Sequence, residues 1–183
     1  MKTDLSIPLR YGLIGGLVMS VLALVTYMFY NVLFSSFVMQ SVFGILSFGL
    51  TIFIPVWGTV SHKRSLGKIS FLNAFAAAMI IIGISMAFSS MWSYVIPNVI
   101  DTAYPEQVYE KVKNTTIESM EKFGASDEDI EKATERFSLE DFKPTALKTL
   151  RSFGISLGVG TVLSLIIAVF VSRPDPTQPK PQE

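Results

Sequence analysis

The feature that most constrains this chain is where charge is missing. Residues 11–61 contain no Asp, Glu, Lys or Arg, and neither do residues 69–100 or 152–172. A helix needs about 20 apolar residues to cross a hydrocarbon layer roughly 30 Å thick. The first run is too long for one crossing and suits two, joined at Phe34-Ser35-Ser36-Phe37. Four spans are expected: about Tyr11–Leu33, Val38–Ser61, Phe71–Ile96 and Phe153–Val171. Of the 183 residues, 50% are hydrophobic and only 16% charged, against about a quarter charged in soluble domains. Too little polar surface remains to cover four such helices in water. The expected fold is all-α, an integral membrane four-helix bundle. Its first span is no cleaved leader, because the apolar stretch exceeds the roughly 7–15 residues of one and no small-x-small site follows.

Orientation follows from basic residues close to the membrane. Residues 1–10 carry Lys2 and Arg10, and the short turn after the second span carries Lys63, Arg64 and Lys68, beside His62. The turn between the first two spans is uncharged, so that hairpin favours both its ends inside. Eight basic residues lie between Asp101 and Arg151 against seven on the other side, but the seven sit in far shorter stretches. The expected layout is a cytoplasmic segment 1–10, three spans within 11–100, and an extracytoplasmic helical segment 101–150. A fourth span follows within 151–172, then a disordered Pro-rich cytoplasmic tail, 173–183, with Pro174, Pro176, Pro179 and Pro181. Both termini are expected on the cytoplasmic side of the membrane. Tyr11 and Trp57 fall near the inner boundary, and Tyr27, Tyr30, Trp92 and Tyr94 near the outer one, where amphipathic rings favour the headgroups.

No ionisable side chain falls in the middle of a span, which argues against a proton relay, an ion-coupled carrier or a voltage sensor. Asn31, Gln40 and Asn73 lie near span ends. Small residues recur every four positions: Gly12, Gly16 and Ser20; Ala74 and Ala78, then Gly83 and Ala87; Gly154 and Gly158, then Gly160, Ser164 and Ala168. Such spacing lets helix backbones approach closely. Gly12, Gly16, Gly154 and Gly158 are therefore the expected packing positions, and Pro55 should kink the second span.

Residues 101–150 read as a short helical hairpin between spans 3 and 4. Pro105 starts a helix and Gly124 ends it. Val108, Tyr109, Val112, Thr116, Met120 and Phe123 share one face. Ser126 with Asp129 forms a shortened capping box, and Ile130, Ala133, Thr134 and Phe137 make a second apolar stripe. Glu128 and Lys132 are an i,i+4 pair. The first stripe is longer than its short neighbour covers, so Val108, Val112 and Met120 are the expected contact for a membrane or periplasmic protein partner. Asp127-Glu128-Asp129 lacks the alternating ligands of a calcium loop and instead complements a helix dipole.

With no Cys and one His, thiolate chemistry and His-pair metal sites are excluded. No phosphate-binding glycine loop, nucleophile elbow or His-Glu-x-x-His occurs. We expect no catalytic residues, cofactor or metal, and scattered basic residues at zero net charge give no reason for nucleic acid.

Tyr11-Gly12, Arg64, Gly67-Lys68-Ile69-Ser70-Phe71, Ala74-Phe75, Asp101 and Ser126-Asp127-Glu128-Asp129-Ile130-Glu131 occur in an order that resembles the family called domain of unknown function 4199. Those are small four-helix bacterial membrane proteins without assigned activity. The resemblance covers roughly residues 9–173 and implies topology, not mechanism. Where that family often has Pro after the Asp, Thr102 and Ala103 stand here. The functional expectation is a non-catalytic accessory or interaction protein presenting its outer helices. The alternative is a small transporter or lipid-handling protein, which a polar cavity between spans would favour.

Overall fold

The structure is a computed structural model and describes residues 5–135 and 138–173. Among these residues it is helical throughout, without strands. The elements are α1 (Ser6–Met28), α2 (Tyr30–Leu33), α3 (Phe37–Leu66), α4 (Phe71–Val95), α5 (Tyr104–Lys122), α6 (Asp127–Glu135), α7 (Leu139–Phe142) and α8 (Ala146–Val171), with a π-helical turn Ile96–Ile100 extending α4. Four helices are long and apolar enough to cross a membrane: α1, α3, α4 with its π turn, and α8. Helices suit that setting because every backbone group within them is satisfied internally. Lys2, Phe137 and the Pro-rich tail lie outside the described residues.

Local chemistry sets the ends. The Ser36 hydroxyl accepts from the Met39 amide at 3.3 Å, opening α3, and Ser70 does the same for Asn73 at 3.3 Å, opening α4. Gly67, at φ +71°, ends α3 in the left-handed region. Gly124, at φ +75°, turns the chain after α5, which Pro105 begins. The Ser126 hydroxyl accepts from the Asp129 amide at 3.3 Å and donates to its carboxylate at 2.7 Å. Lys132 and Glu128 pair at 2.6 Å. The helices differ from the expected spans at several ends: α1 begins at Ser6, α3 runs on to Leu66, and the π turn carries α4 to Ile100. The first breaks at Phe29, and a separate turn, α2, completes it. The fourth starts at Ala146, because Thr145 caps it through the Lys148 amide, so Lys148 and Arg151 lie within its first turns.

α4 is the hub. It packs chiefly against α1 and α8, and also against α3. Its buried residues are Ala74, Ala77, Ala78, Ile81, Ile82 and Ser85, and small alanines admit the neighbouring backbones. Ile69, Ala74, Ala78 and Ile82 form one core with Ile167, Ala168 and Val171. On α1, a Cβ at Gly12 would stand 2.8 Å from Ile84, and one at Gly16 would stand 2.7 Å from the Phe88 ring. Gly58 of α3 sits against Ile81 and Tyr11, and Gly160 of α8 against Ile82.

Gly154 and Gly158 correct the expectation. Both are exposed, and a Cβ added there would meet nothing within 4 Å. The contact instead uses Gly160, Ser164 and Ala168, which lie on another side of α8 and are all buried. Two small-residue stripes shared one helix, and only packing selects between them.

Candidate functional site

The two ends of the bundle are unlike. At one end lie Arg10, the turn with Lys63, Arg64 and Lys68, and Arg173. The Lys63 ammonium donates to the Arg173 carbonyl at 2.7 Å, and Tyr11 and Ser61 share a hydrogen bond of 3.0 Å. Arg64 and Lys68 are exposed, while His62 is buried.

At the other end, α5 and α7 fold back over the helices. The Thr115 hydroxyl donates to the Phe34 carbonyl at 2.8 Å, and the Tyr30 phenol donates to Gln107 Oε1 at 2.7 Å. The Tyr27 phenol reaches Asp101 Oδ2 at 3.4 Å, and the other carboxylate oxygen accepts from the Ala103 amide at 3.0 Å. Tyr104 stands edge-on to Tyr27 and Tyr30, with ring centroids 5.2 and 5.6 Å away, the favoured arrangement for aromatic quadrupoles. Burial first, then the neighbouring Tyr30, Tyr27 and Asp101, pushes the Tyr104 phenol above its usual pKa. Asn98 donates to the carbonyls of Tyr94 and Pro144 at 2.9 and 3.0 Å, and Tyr109 packs edge-on to Phe142. These contacts tie both connections of the outer segment to the bundle.

Beneath this cover lies a chamber of about 330 Å³, near the lower end of the roughly 300–1,000 Å³ usual for ligand pockets. Ala23 and Thr26 line it from α1, Ser89, Trp92 and Ser93 from α4, and Tyr104, Pro105 and Val108 from α5. Phe142 and Pro144 close it. The Trp92 indole N–H is buried and, among the described residues, has no hydrogen-bond partner, a state that buried donors rarely occupy. A second cavity of about 180 Å³ lies deeper, between Met19, Thr51, Pro55, Ser85 and Ser156, and Ser89 lines both. A further groove of about 400 Å³ between α4 and α8 is open along its length and almost wholly apolar, so lipid chains cover it in a bilayer.

Among the described residues, no three His, Asp or Glu side chains come together to hold a metal ion. The chamber walls offer hydroxyls and aromatic faces, which is chemistry for holding a ligand. The structure places the three residues expected to meet a partner as follows. Val108 turns into the chamber wall, and Val112 and Met120 are half-buried. The same stripe therefore covers the bundle's own end, since α5 packs against α6, α7 and α3. The sequence reading missed Ser85, Ser89 and Ser93, spaced by four on a charge-free span, because it sought ionisable groups alone. Trp92 entered it only as an interface aromatic.

The model of a family described as protein of unknown function (DUF4199) matches residues 10–173. The chain belongs to this family. The match takes in all of the last three spans and most of α1, together with the outer helices. No curated protein and no solved structure matches.

Proposed function

We propose that this protein is a non-catalytic multi-pass membrane protein that binds a membrane-dissolved amphiphile through its helical bundle, with α5 and α7 as the lid. The observation that carries this reading is the chamber beneath α5 and α7, apolar with a few hydroxyls in its wall. An apolar recess with few polar groups is the usual form of a small-ligand site. The proposed setting is the bacterial inner membrane, with residues 101–150 outside as a helical hairpin and both termini cytoplasmic. The basic end formed by Arg10, Lys63, Arg64, Lys68 and Arg173 supports that orientation.

Native mass spectrometry of the protein released in mild detergent tests the reading. A bound small molecule should accompany the wild-type chain, and Val108→Trp, which fills the chamber, should release it. A wild-type chain without any such molecule, or equal retention by the variant, would sink it. A second reading, an accessory protein presenting its outer helices to a partner, draws support from Phe123, which is 85% exposed at the end of α5. Loss of a co-purifying protein on Phe123→Ser, with ligand retention unchanged, would favour it.

A further inference from the structure

The chamber and the deeper cavity meet at one residue, and their walls share one chemistry. Ser89 lines both spaces and is itself exposed to them. The deeper one forms because α3 stands away from its neighbours along half its length. From Phe37 to Phe53 it has no buried residue, whereas Ile54, Pro55, Gly58, Thr59 and His62 are buried beyond that point. Pro55 marks the change, and its carbonyl accepts from the Thr59 hydroxyl at 2.7 Å.

Neither wall contains Asp, Glu, Lys, Arg or His. A charged headgroup lodged there would lose its water and gain no counter-charge, a combination proteins avoid. The hydroxyls of Thr26, Thr51, Ser85 and Ser93 already donate to carbonyls of their own helices. Their remaining capacity is to accept, and the hydroxyls of Tyr104 over the chamber and of Ser89 at the junction can donate. The deeper cavity has room for about six water-sized units at roughly 30 Å³ each, which suits one hydrocarbon chain and not two side by side.

We propose, building on the amphiphile-binding reading, that the ligand is an uncharged single-chain amphiphile. Its head rests in the chamber among the hydroxyls of Ser93 and Tyr104, and its tail passes Ser89 into the space between Thr51, Ser85 and Ser156. It enters sideways from the bilayer, where α3 parts from the bundle.

The test uses the full chain in phosphatidylcholine nanodiscs. One probe is a monoacylglycerol with a photoreactive diazirine near the chain end, and the other is lysophosphatidic acid with the same chain. The neutral probe should label residues of the deeper cavity such as Met86 and Leu50, and unlabelled monoacylglycerol should compete. Ser89→Phe should move the label up to chamber residues. That substitution fills open space rather than core, and Ser156→Phe closes the same cavity from α8 should it fail to fold. Tyr104→Phe should weaken competition about three- to tenfold, as expected for one hydrogen bond. Tail label confined to the chamber in the wild type would overturn the threaded path and leave the amphiphile site standing. Equal labelling by lysophosphatidic acid would overturn the uncharged head. Label only on outward-facing Val159 and Leu165, unaffected by competitor, would remove both.

Discussion

The Thr115 hydroxyl donates to the Phe34 carbonyl at 2.8 Å, joining the middle of α5 to the turn between the first two spans. Thr115 is buried, with 7% of its surface exposed, so this bond holds the outer segment down at a distance from both of its covalent connections. The Tyr30–Gln107 bond does the same from the neighbouring turn.

Thr115→Val keeps the side chain's shape and removes its donor. It should destabilise the closed position of α5 by about 1 kcal/mol, the net worth of a typical buried hydrogen bond. Hydrogen exchange should then quicken across α5 while the four long helices stay protected. Unchanged protection of α5 would mean the tie is not what holds it.

Glycines on α1 and α8 should respond in opposite ways. Gly16→Leu drives atoms into the Phe88 ring, and even Gly15→Ala would place a Cβ 2.1 Å from the Ser85 hydroxyl. Overpacking of this kind costs about 1–3 kcal/mol. Gly158→Leu points into open surroundings and should change stability by no more than about 0.5 kcal/mol. Thermal aggregation in detergent measures all three, and equal loss at Gly16 and Gly158 would contradict the packing described.

Alkali should open the lid. The Tyr104 phenol has its pKa raised in the folded protein above the ordinary 10.0, through burial and then Tyr30, Tyr27 and Asp101. A raised pKa means the fold favours the neutral phenol. Its contribution is full below about pH 10, the unfolded value, and is lost as pH climbs through the folded one. Exchange of α5 amides, referenced to an unstructured peptide at each pH, should show extra opening above that point in wild type. Tyr104→Phe should abolish the step.

Reporter fusions decide the orientation. Alkaline phosphatase joined at residue 120 should be active, and joined at the carboxyl terminus inactive. The reverse pattern would place the outer helices in the cytoplasm and the basic end outside.

What the sequence determined by itself is the number and course of the long helices. Three charge-free runs, two turn serines at Ser36 and Ser70, and glycines at Gly67 and Gly124 are local signals, and each acts within a few residues of itself. Legible for the same reason were the Ser126–Asp129 cap and the Glu128–Lys132 pair, both confined to one helical turn. Which faces meet was not legible. Gly154 and Gly158 carry the same spacing as Gly12 and Gly16, yet only the latter face another helix. In an all-apolar span, hydrophobicity points nowhere, and the choice rests on shape matching between surfaces far apart in the chain. The chamber likewise depends on tertiary structure alone. It arises where α5 lies across the ends of α1 and α4, and the deeper cavity arises where α3, between Phe37 and Phe53, stands away from the bundle. Its hydroxyls are ordinary in a membrane helix until folding leaves Ser89 open to two cavities.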